Sequence, residues 1–128
     1  MDRYESEKTF LEKLQAAYNE YDYSRIEDAL ADNVTYDSFW VLSQITSKTE
    51  YMNYLKSKLA AMKDKETKID FQIMFEAKNN RPHLVIQSPA NNGVHGCYTI
   101  ETENELITAI HLTPADFYKP YGEISLNN

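Results

Sequence analysis

The sequence predicts an α+β fold, with helices gathered on one side of a mainly antiparallel sheet. Three observations carry that reading. Apolar residues recur at helical spacing in "SEKTFLEKLQAAYNEY" and again in "TEYMNYLKSKLAAM". From Ile69 the pattern changes to alternation: Ile69, Phe71, Ile73, Phe75 and Ala77 interleave with Asp70, Gln72, Met74 and Glu76. The clusters "KNNRP", "PANNG" and "TENE" then punctuate the second half at hairpin intervals.

Each element follows in order. From Ser6 to Tyr21, Phe10, Leu11, Leu14, Ala17, Tyr18 and Tyr21 form one buried stripe, and the charged residues of "ESEKTFLEK" form the solvated face. Ser24 and Glu27 fit a capping box opening a short helix that buries Ile26, Ala29 and Leu30. Val34 to Leu42 reads as a strand. A second capping box, Ser47 to Glu50, starts a helix through about Met62, with Met52, Leu55, Leu59 and Met62 on one face. The Ile69–Ala77 strand, then Pro82 to Ser88, Val94 to Glu101 and Leu106 to Leu112 complete a meander.

Composition bounds the function. At 128 residues the chain reads as one domain, 1–128, able to bury a core without covalent staples. Hydrophobic residues at 42% and charged residues at 26% are ordinary globular usage. The formal charge of −7 opposes phosphate backbones and anionic bilayers, so nucleic acid and membrane are excluded as expected partners. No run approaches the roughly 18 apolar residues of a membrane span. The charged start "MDRYESEKTF" does not read as a signal peptide, and Cys97, the single cysteine, has no intramolecular partner, so a cytoplasmic protein is expected. No Cys/His spacing resembles a zinc site, and neither a metal nor a cofactor is expected.

The order helix, helix, strand, helix and four strands resembles the nuclear-transport-factor-2-like superfamily, the cone-shaped α+β fold shared with ketosteroid isomerases and polyketide cyclases. Its most specific piece is "RIEDALADNVTYDSFW", which looks like the entry of that superfamily into its first strand. The resemblance implies a curved sheet around a long helix, with a pocket in the open end of the cone. It also implies positions. Ser38 falls where the isomerase's base Asp is needed, and Asp37, one residue earlier, points to the opposite face of a regular strand. Tyr18 falls close to the oxyanion Tyr, and Cys97 or Tyr98 in the region of the oxyanion Asp. By the same resemblance Tyr36 and Trp40 line the pocket.

Three histidines remain. A tight hairpin centred near Glu103 would bring His95 opposite His111 as a candidate acid/base pair, although the sequence does not determine that turn. His83 would lie opposite Thr99. The bland reading makes these partly exposed or hydrogen-bonded strand residues, and Cys97 a small buried hydrophobe.

The expected function is therefore a domain that binds a small apolar or aromatic molecule without turning it over. Its expected ligand-binding residues are Tyr18, Tyr36, Ser38, Trp40, His95, Cys97 and His111. One alternative is a cyclase- or isomerase-type enzyme with His95, His111 or Asp37 as base; the other is a dimerisation or protein-partner module. A homodimer through the sheet is also expected. Leu106, Thr108, Ile110 and Leu112 read as one face of the last strand and Ile107 and Ala109 as the other, so both faces need cover.

Overall fold

The computed structural model describes residues 4–38, 41–64, 70–75, 81–88 and 93–114, and of residues 41–43, 87–88, 93–95 and 114 the backbone only. The described chain runs α1 (Glu5–Glu20), α2 (Ser24–Glu27), β1 (Leu30–Ser38), β2 (Val41–Ile45), α3 (Lys48–Asp64), β3 (Asp70–Phe75), β4 (Pro82–Ser88), β5 (Gly93–Glu103) and β6 (Leu106–Pro114). The strands form one curved sheet in the order β2-β1-β6-β5-β4-β3, in which only the β1–β6 pair is parallel.

The expected helical stripes are the buried ones. Leu11, Leu14, Ala17 and Tyr18 of α1 and Met52, Leu55 and Leu59 of α3 are covered, Phe10, Tyr21 and Met62 only partly, and Tyr51, outside the expected stripe, is buried as well. α1 ends on Tyr21 in the left-handed region (φ 54°), with the Asp22 N–H donating to the Ala17 carbonyl at 2.9 Å. That is a Schellman-type stop.

The two capping boxes fare differently. Ser47 Oγ accepts from the Glu50 N–H at 3.2 Å, so Ser47 caps α3, and Glu50 Oε1 accepts from the serine hydroxyl at 3.3 Å rather than from its backbone N–H. The α2 box does not form. Asp22 Oδ1 instead takes both the Ser24 N–H (3.0 Å) and the Ser24 hydroxyl (2.6 Å). A carboxylate two residues upstream is the stronger acceptor and turns the serine into a donor.

Two strand expectations need correction. Val34–Leu42 is not one strand: the chain turns back after Ser38, pairing Tyr36 with Ile45 and Ser38 with Val41. "SFWV" contains no Gly, Pro, Asn or Asp, so nothing in composition marks the turn.

The last hairpin closes on Asn104 and Glu105, both at positive φ (53° and 63°), rather than near Glu103. Thr108 is then an extra residue, because Thr102 pairs with Ile107 while Glu101 already pairs with Ala109. This bulge lets Ile107 and Ile110 both enter the core, where simple alternation placed them on opposite faces. It also sets Thr99, not His95, opposite His111.

The helices pack on the inner face, which carries Leu84 and Ile86 of β4, Tyr98 and Ile100 of β5, and Ile110 and Leu112 of β6. The outer face carries His83, Val85, Cys97, Thr99 and His111. His83, Val85, Cys97 and Thr99 are at most 7% exposed within a single chain, so this part of the outer face needs no second subunit to cover it.

Candidate functional site

Helices and sheet together make an interior cluster of tyrosines around one lysine. Tyr18 comes from α1, Tyr36 from β1, Tyr98 from β5, and Tyr51, Tyr54 and Lys58 from α3. The α3 residues recur at helical spacing, three and four apart, so one flank of the helix presents all three to the sheet.

Tyr18 stacks on Phe71 with ring centroids 4.5 Å apart and lies 5.7 Å from Tyr98. Tyr36 lies 5.1 Å from Tyr54 and 5.5 Å from Tyr51. The hydroxyls of Tyr18 and Tyr98 are 2.8 Å apart, and those of Tyr36 and Tyr54 3.2 Å apart. Lys58 Nζ donates to the Tyr54 and Tyr98 hydroxyls, both at 3.2 Å. It also lies 5.5–5.9 Å from the ring centroids of Tyr18, Tyr54 and Tyr98, within cation–π range.

Tyr18, Tyr36, Tyr51 and Tyr98 are at most 2% exposed, whereas Tyr54 and Lys58 are half-buried. The latter two therefore lie at the solvent-facing edge of the cluster and the former in its interior. Burial, reinforced by the neighbouring phenols, raises the pKa of Tyr18, Tyr36, Tyr51 and Tyr98 above the ordinary phenol value. Each stays a neutral hydroxyl, able to donate one hydrogen bond.

The outer face carries a separate polar row. His111 Nδ1 contacts the Asp37 carboxylate at 2.9 and 3.0 Å, and its Nε2 contacts Glu101 Oε2 at 2.7 Å. An imidazole that bonds carboxylates through both nitrogens must donate from both, so it is the imidazolium. Burial lowers its pKa, but the bonds to Glu101 and Asp37 and their charges outweigh that, and the net direction is up.

A cleft of about 490 Å³ opens beside this row, lined by Tyr4, Glu7, Arg81, Glu101, Thr102 and His111. Its charges are already matched: Arg81 binds Glu7 at 3.0 Å and the Ile100 carbonyl at 2.8 Å. Deeper in the face, Cys97 Sγ sits 3.4 Å from Thr113 Oγ1 and 4.0 Å from His83 Nδ1. Burial pushes the Cys97 thiol up to about 11, against a smaller lowering by Thr113. Burial and then the Arg81 charge lower His83 to about 3. A neutral thiol beside a neutral imidazole is no activated nucleophile.

The expected site residues therefore divide. Tyr18, Tyr36 and Ser38 lie on the inner side, with Ser38 9% exposed. Cys97, His111 and Asp37 lie on the outer face and cannot share a pocket with Tyr18. Tyr98, rather than Cys97, reaches the cluster, because alternation along β5 turns the two apart. Trp40 and the His95 side chain lie outside the described residues.

Lys58, Tyr54 and Tyr51 were missed. The available signal was the Tyr51–Tyr54–Lys58 spacing, a second stripe next to the Met52–Leu55–Leu59 one. Among the described residues, no three His, Cys, Asp or Glu side chains group to hold a metal ion, and no helix is long and apolar enough to cross a membrane.

No protein-family model matches the sequence, and no curated protein does. Solved structures match over nearly the whole chain. An NTF2-like protein of unknown function from Mesorhizobium loti aligns with a TM-score of 0.68 at 10% identity, covering 89% of this chain and 94% of that one. A LEH-like epoxide hydrolase from M. tuberculosis aligns at 0.54 and 14%, covering 94% and 92%. A de novo designed protein with a curved β-sheet aligns at 0.62 and 14%, covering 100% of both chains.

The chain thus has the nuclear-transport-factor-2-like fold, as its element order predicts. An epoxide hydrolase and a designed protein are both among these structures, so the fold alone assigns no activity.

Proposed function

We propose that this chain is a small-molecule-binding domain whose site is the interior cluster, entered past Tyr54 and Lys58, and whose ligand has a largely apolar or aromatic body. One observation carries the reading. The interior offers aromatic rings, neutral hydroxyls and an ammonium, while Asp37 is held on the far face by His111. Isomerase-type proton transfer needs a carboxylate at the substrate. Ser38 stands on the inner side instead, and a hydroxyl has no accessible anionic form near neutral pH to accept the proton. His111 is no substitute, because both of its nitrogens are occupied.

A partner-binding module is the second reading, favoured by the way the tyrosine hydroxyls bond to one another and fill the interior. Self-association through the sheet would rest on the polar row of Asp37, Glu101 and His111, since Val85 and Cys97 beside it are already covered.

The test is calorimetric titration with 2-naphthylmethanol, run beside a turnover assay on β,γ-unsaturated ketones. Saturable heat that Tyr54→Ala weakens, with no turnover, is the expected result. Turnover abolished by Asp37→Asn would install the enzyme reading, and absence of both signals would install the partner module.

A further inference from the structure

The interior cluster is rich in donors and short of acceptors. Lys58 gives two of its three N–H groups to Tyr54 and Tyr98, and no carboxylate among the described residues pairs with it. An ammonium can only donate, so it fixes the direction of everything beyond it. Tyr98, accepting from Lys58, turns its own proton toward Tyr18, 2.8 Å away. Tyr54, accepting from Lys58, turns its proton toward Tyr36, 3.2 Å away. Tyr18 and Tyr36 then end the two relays with hydroxyl protons that have no acceptor among the described residues.

The third Lys58 N–H is in the same position. So is the Tyr51 hydroxyl, which is fully buried beside Tyr36 and Tyr54 without a hydrogen-bond partner. Buried donors left unpaired are costly, and a half-buried cation without a counter-ion adds to that cost. A guest that brings an acceptor oxygen to Lys58 relieves the cation.

We infer that the cluster takes a ligand bearing an anionic oxygen, a carboxylate, phenolate or enolate, on an aromatic or otherwise apolar body. This deepens the binding reading above and rests on it. The anionic oxygen meets the Lys58 ammonium at the half-buried edge of the cluster, and the aromatic rings beside it, Tyr54 first, receive the body. Charge-assisted hydrogen bonds to the oxygen are stronger than any a neutral hydroxyl would make there. The preference is set against the formal charge of the chain, which is −7, so it arises at Lys58 locally and not from the overall field.

The test compares 2-naphthoate, 2-naphthylmethanol and 2-naphthylmethylammonium by calorimetry, on wild type and on Lys58→Met and Lys58→Arg. Wild type is expected to bind naphthoate about tenfold or more tightly over the alcohol, and the ammonium weakest of the three. Lys58→Met is expected to erase the preference for naphthoate over the alcohol, and Lys58→Arg to keep it. Tyr98→Phe, which keeps the ring and removes one relay hydroxyl, is expected to weaken naphthoate selectively. Equal binding of naphthoate and alcohol in wild type, or a preference that survives Lys58→Met, overturns the inference while leaving the binding domain intact. No binding of any of the three overturns both.

Discussion

At the scale of single residues, two histidines give the protein opposite pH dependences. His83 has a folded pKa of about 3, lowered by burial and by Arg81. An unfolded histidine titrates near 6.5, so between about 6.5 and 3 the unfolded chain binds a proton that the folded chain refuses. Stability from this group is therefore complete above about 6.5 and is lost as pH falls, at up to about 1.4 kcal/mol per pH unit.

His111 behaves in the reverse sense. Its folded pKa lies above the ordinary value because Glu101 and Asp37 hold the imidazolium against the opposing effect of burial. Its contribution is complete below about 6.5 and is lost as pH rises through the folded value. Urea denaturation from pH 5 to 9 is expected to give a maximum near neutrality. His83→Gln should flatten the acid limb alone, and His111→Gln the alkaline limb alone. Unchanged limbs in either variant would mean that the partners assigned to that histidine are wrong.

Elements differ in how legibly the sequence writes them. The α1 and α3 stripes were readable because Leu11, Leu14, Leu55 and Leu59 repeat at helical spacing and nothing local competes with it. The β1–β2 turn was not, because "SFWV" contains no Gly, Pro, Asn or Asp to mark it. The β5–β6 hairpin was half readable: "TENE" marks a turn, but neither its centre nor the Thr108 bulge follows from composition. That slip moved the partner of His111 by four residues.

The same hairpin supplies a stability prediction. Asn104 tolerates positive φ through its short side chain, but Glu105 at φ 63° carries the strain of a β-carbon in the left-handed region. Glu105→Gly creates the favoured Asn-Gly turn and is expected to stabilise by about 0.5–1 kcal/mol in chemical denaturation. Destabilisation would show that the Glu105 side chain makes contacts worth more than the strain it carries.

For the whole molecule, the fold was legible from element order, while the site was legible only in part. Tyr18, Tyr36 and Ser38 could be placed by resemblance of α1 and of the first strand to the superfamily, and the burial of β1 alternates from Val34 to Ser38. Tyr51, Tyr54 and Lys58 escaped because the Tyr51–Tyr54–Lys58 stripe adjoins a more hydrophobic one that dominates the periodicity of α3. What the tertiary fold adds is convergence: residues from α1, α3, β1 and β5, up to 80 positions apart in the chain, meet through their hydroxyls.

Ligand binding at this convergence is read from the ring carbon resonances of labelled tyrosine during titration with 2-naphthoate. Tyr54, Tyr98 and Tyr36 report on the interior cluster, Tyr4 on the polar cleft beside Arg81, and Tyr23 on the exposed surface. Saturable shifts at Tyr54, Tyr98 and Tyr36 are expected, with Tyr4 and Tyr23 unmoved. Shifts at Tyr4 alone, or none at saturating naphthoate, would contradict ligand binding at the cluster.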